Sequence, residues 1–77
     1  MNKKDFFNML KGASLKPCGI TISNATTRYD HPYIAICVYW ESTIHKTTIV
    51  SIKGNCNCDK VKKELEKYKK WLNEFLN

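Results

Sequence analysis

The stretch Asp59–Asn77 constrains this chain most, because it reads as one amphipathic helix with a single apolar stripe. Val61, Leu65, Tyr68, Leu72, Phe75 and Leu76 recur at helical spacing and fall on one side. Such a helix has little stability alone in water, so its stripe must lie on an apolar surface built by the rest of the chain. With 77 residues in all, that surface belongs to the same single domain, spanning 1–77.

Upstream sequence supplies the surface as strands. Tyr33 to Ser42 is the strongest strand signal, with Ile34, Ile36, Val38 and Trp40 on one face and Tyr33, Ala35, Cys37 and Tyr39 on the other. Before it, Gly19 to Tyr29 alternates Ile20 and Ile22 with Thr21 and Ser23, and Asp30-His31-Pro32 signals a turn. After it, Glu41 to His45 must turn. Lys46 to Lys53 is rich in Thr, Val and Ile and ends at Gly54-Asn55. At the start, residues 3 to about 11 read as a short helix capped by Asn2, with Phe6, Met9 and Leu10 inward and Gly12 as its stop. Leu15 to Pro17 connects, and Asn57 or Asp59 caps the last helix. The expected fold is α+β: α-β-β-β-α, a three-stranded antiparallel meander with both helices on one face.

That arrangement leaves one sheet face open, yet the central strand is apolar on both sides. Either Tyr33, Cys37 and Tyr39 form a modest cluster that loops cover, or the face meets another molecule. On the second reading, Tyr33, Tyr39 and Trp40 are the candidate partner-binding residues.

The net charge of +6 favours polyanions or acidic protein surfaces. Lysine supplies nearly all of it, and Arg28 is the single arginine. Lysine contacts phosphate as a point charge, whereas arginine's planar fork reads bases, so nucleic-acid binding would be largely independent of sequence. AT-rich coding DNA, which favours Lys, Asn and Ile codons, is the alternative source of the charge. Lys60, Lys63, Lys67 and Lys70 fall opposite the apolar stripe, with Lys62 on the flank. Together they are the candidate nucleic-acid-binding residues, diluted by Glu64, Glu66 and Glu74. The competing reading is a solvated helix back with pairs such as Glu66–Lys70.

Four cysteines, Cys18, Cys37, Cys56 and Cys58, admit three readings. Zinc needs two close ligand pairs, and only one Cys-x-Cys is present, with His31 or His45 to complete a set. Disulfides need an oxidising compartment, and the charged start of the chain is not a signal peptide. Reduced thiols acting as small apolar residues fit best, Cys37 above all, although Cys56 and Cys58 beside a helix start would be reactive. No metal or cofactor is expected. The histidines sit in turns without a positioned nucleophile, so no enzyme is expected. With no apolar run of membrane-spanning length, the chain reads as cytoplasmic.

The α-β-β-β-α order, with Lys62-Lys63-Glu64-Leu65-Glu66 at the start of the last helix and Asp30-His31-Pro32 between the first strands, resembles the double-stranded-RNA-binding domain. The resemblance implies RNA contacts at Lys62, Lys63 and His31. Leu65 stands where that family has alanine, and Glu66 where it has lysine. The Lys/Asn/Ile-rich composition and the Ile20-Thr21-Ile22-Ser23-Asn24 strand also resemble small phage and mobile-element proteins of the anti-CRISPR type. That resemblance implies a non-catalytic inhibitor that blocks a surface of a host protein or nucleoprotein complex. Direct nucleic-acid binding through the last helix is the alternative, and a small domain held by metal at Cys18, Cys56 and Cys58 is a third.

Overall fold

The computed structural model of the chain describes residues 1–41, 44–54 and 59–77. Helix α1 spans Lys3–Gly12, strands β1, β2 and β3 span Pro17–Thr26, Pro32–Trp40 and Lys46–Lys53, and helix α2 spans Asp59–Leu76. The fold is the α-β-β-β-α single domain expected from the pattern, with the sheet ordered β1-β2-β3 and antiparallel throughout.

Local chemistry sets the ends of each element. Asn2 caps α1: its Oδ1 accepts the Asp5 backbone N–H at 2.8 Å, satisfying one of the first-turn donors. The expected stop at Gly12 is corrected. Gly12 is the last helical residue, and Ala13 ends the helix in extended conformation while its N–H donates to Leu10 O. The chain leaves through a short connector over residues 14–16 into β1, with no left-handed residue in it. At the other end of β1, the strand stops three residues earlier than expected. Thr27 O and Thr27 Oγ1 gather the backbone N–H groups of Asp30, Tyr29 and His31 into a tight turn, with Asp30 at φ 60°. Strand β2 ends at Trp40, before the expected Ser42, which lies outside the described residues. Helix α2 begins at Asp59, so Asp59 is its first residue and not its cap; Asn57 lies outside the described residues.

Register then sorts the side chains. Ile20↔Val38 and Ile22↔Ile36 across β1–β2, with Ile34↔Ile52 and Ile36↔Val50 across β2–β3, put one apolar set on one face. That face joins Phe6 and Leu10 of α1 and Val61, Tyr68 and Leu72 of α2 in one buried cluster. Two bulges adjust the pairing. Cys18 is the extra residue on β1, and Ile49 the extra residue on β3. The second bulge returns Thr47 to the covered face opposite Val38, where its Oγ1 accepts the Trp40 Nε1–H at 2.9 Å.

The helices lock together through rings. Phe6 lies 5.5 Å from Tyr68 and 5.9 Å from Trp71, Tyr68 meets Trp71 edge-on at 5.2 Å, and Phe7 meets Phe75 edge-on at 5.6 Å. Trp71 was absent from the expected stripe. It lies on the flank of α2 facing α1, three residues after Tyr68. Leu76, expected in the stripe, is exposed.

Candidate functional site: the open face of the sheet

The face of the sheet away from the helices is built by alternation along three strands. On β2 it carries Tyr33, Ala35, Cys37 and Tyr39, as the sequence pattern indicates. Register places Ser23 and Ser51 beside Ala35, and Thr21 and Thr48 beside Cys37. These short side chains make a low floor. Ala35 and Cys37 are buried between the neighbouring strands, and the Cys37 thiol lies 3.6 Å from the Thr48 hydroxyl.

At each end of the floor stands a tyrosine with a lysine directly across the β2–β3 ladder. Tyr33 pairs with Lys53, and Tyr39 with Lys46. Side chains opposite each other in an antiparallel pair share a face and stand about 5 Å apart at Cβ. Both lysines are exposed, and the strand residues of this face include no carboxylate. Tyr39 is 41% exposed and lies over Gly19 on the edge strand. A Cβ at Gly19 would come within 2.5 Å of the tyrosine hydroxyl, so only glycine lets the ring lie flat there.

Tyr33 borders the concave part of the surface. An open depression of about 630 Å³ is lined by Thr27, His31, Pro32, Tyr33, Ser51, Lys53 and Gly54. A second, of about 370 Å³, is lined by Asn24, Ala25, Thr26, Pro32 and Tyr33. The β1–β2 turn above them presents Arg28, whose guanidinium stacks on Tyr29 at 5.1 Å from the ring centroid.

The sequence-predicted partner residues do not form one surface. Tyr33 and Tyr39 share the open face, but Trp40 is buried on the opposite face among core residues. The parity of the strand dictates this, since adjacent residues point to opposite sides. Lys46 and Lys53 were missed as site residues, although pairing the predicted strands across their turns would have placed them beside the two tyrosines.

The α2 lysines spread around the exposed arc of the helix. Lys67 leans toward α1: its ammonium lies 3.0 Å from Glu64 and over the Tyr68 and Trp71 rings at 4.8 and 5.2 Å. The hydrogen bond to Glu64 raises its pKa above the usual lysine value. Glu74 is similarly tied to Lys3, whose hydrogen bond lowers its pKa. Lys60, Lys62, Lys63 and Lys70 are exposed. Among the described residues no group of three or more Cys, His, Asp or Glu could hold a metal ion. Cys18 is exposed and free, Cys37 buried and free, and Cys56 and Cys58 lie outside the described residues. No described helix is long and apolar enough to cross a membrane. Comparison with protein-family models, curated proteins and solved structures finds no match to this chain.

Proposed function

We propose that this protein is a non-catalytic binding module that modulates a nucleic-acid-handling complex, in the manner of an anti-defence inhibitor, by covering one of its surfaces. The docking surface is the open face of the sheet. The observation that carries this reading is the pairing of exposed Tyr39 with Lys46 and of Tyr33 with Lys53 on a face free of strand carboxylates. Tyrosines bring large contact area at low entropic cost, and the lysines steer an acidic partner onto the face. The helix-borne alternative is weaker on its own geometry, because Lys67 is engaged by Glu64 and Glu66 sits between the flanks.

The test is capture of an assembly from cell lysate, with and without nuclease, using the wild type and two variants. Tyr33→Ala with Tyr39→Ala should abolish capture. Lys60→Glu with Lys63→Glu and Lys70→Glu should retain it. The reverse outcome moves the function to α2.

A further inference from the structure

The open face has more specific content than an acidic partner requires. It combines two aromatic rings, two cations, a hydroxyl-lined floor and two depressions that share one ring in their lining. We infer that single-stranded nucleic acid lies along β2 on this face, with bases stacked on Tyr33 and Tyr39 and phosphates near Lys53 and Lys46. This inference rests on the open face being the docking surface.

The spacing fits a chain-like ligand. Tyr33 and Tyr39 lie on one strand six positions apart, so about 20 Å separates them at the strand rise. Between them Ala35 and Cys37 are held low, and nothing larger than Thr or Ser flanks them on either neighbouring strand. A strand of unpaired nucleotides can cross such a floor, while Thr21, Ser23, Thr48 and Ser51 offer hydroxyls to its polar edges. Tyr33 lines both depressions, one bordered by β3 residues and one by β1 residues, so a base has room beside its ring, and Lys53 lines the larger one. Opposite each ring, a lysine supplies the cation that the backbone of a stacked nucleotide needs.

A duplex fits this face poorly. Base faces are hidden inside a duplex, so stacking on tyrosine requires unpaired bases. The two lysines sit at opposite ends of the floor, and the single arginine is stacked on Tyr29 in the turn. Affinity without base reading is the expected result: every base offers a π-face, and no arginine fork is aimed at the floor.

Fluorescence anisotropy with a labelled oligothymidylate, an oligouridylate and a duplex of matched length tests this directly. The wild type should bind both single strands more tightly than the duplex. Each Tyr→Ala change should weaken single-strand binding about five- to 150-fold, the range that loss of one stacked base produces. Tyr33→Phe and Tyr39→Phe should restore it, and the Tyr→Ala variants should keep the wild-type circular dichroism and urea midpoint, which separates lost stacking from lost folding. Lys46→Gln with Lys53→Gln should reduce the slope of log affinity against log salt by about 1.4, at roughly 0.7 per phosphate contact. Duplex binding as tight as single-strand binding, or undiminished binding by the Tyr→Ala variants, overturns the inference. If oligonucleotides do not bind but tyrosine-dependent, nuclease-resistant capture persists, the partner is a protein and this inference alone falls. If capture too ignores the tyrosines, the docking face itself is wrong.

Discussion

Replacing Trp40 by phenylalanine separates a core role from a contact role at a residue whose strand neighbour, Tyr39, faces the other way. Trp40 is 9% exposed, and its Nε1–H donates to Thr47 Oγ1 at 2.9 Å. The change removes that hydrogen bond, worth about 0.5–1.5 kcal/mol net. It also removes two buried ring carbons, at about 0.8 kcal/mol each. Thr47 is exposed, so water replaces the lost donor and no orphaned acceptor adds to the cost. The sum is roughly 2–3 kcal/mol. A domain of 77 residues has a total stability of about 4–12 kcal/mol, so the variant should fold with a large part of its margin gone. Urea unfolding followed by circular dichroism should show a lower midpoint at unchanged m-value, while affinity for single-stranded oligonucleotide stays that of the wild type. A loss below about 0.5 kcal/mol, the range of a neutral surface substitution, together with weakened binding would refute the assignment of Trp40 to the core.

Other consequences follow from single contacts. Phe6→Ala empties a fully buried site between Tyr68 and Trp71 and should cost about 3–5 kcal/mol in urea unfolding, enough to unfold much of the protein near body temperature. Gly19→Ala should keep the fold while pushing the Tyr39 ring off the edge strand, so its aromatic NMR signals shift and oligonucleotide affinity drops as in Tyr39→Ala. Glu74 is held below the usual carboxylate pKa by Lys3, so its contribution is present above pH about 4.3 and lost as pH falls through the lowered folded value. Glu74→Gln should flatten that acid limb. Burial raises the Tyr68 phenol, so its contribution is present below pH about 10 and lost as pH rises toward the folded value; Tyr68→Phe should remove this alkaline loss of stability.

The fold was legible because two periodicities agree. The helical stripe of α2 and the alternation of β2 each demand the other as a packing partner, and β3 was read at its observed bounds, Lys46–Lys53. Ends were less legible, because hydrogen bonds set them and not hydropathy: Thr27 closes a turn inside what reads as a continuing strand. The site was half legible. Strand parity assigns Tyr33 and Tyr39 to one face, and the same parity excludes Trp40, whose aromatic character suggested contact. The lysines beside the tyrosines come from β3, and only the pairing register across the β2–β3 turn brings Lys53, twenty positions along the chain, beside Tyr33. The α2 lysines are conspicuous in sequence because six of them fall within residues 60–70, whereas only the packed helix shows Lys67 turned back onto Trp71 and tied to Glu64.

Ultraviolet crosslinking of a bromouridine-containing single strand, with the modified residues located by mass spectrometry, tests the docking face most directly. Crosslinks should fall on Tyr33 and Tyr39, at the two ends of the β2 floor. Crosslinks confined to the Lys60–Lys70 region of α2 would contradict the open sheet face as the binding surface.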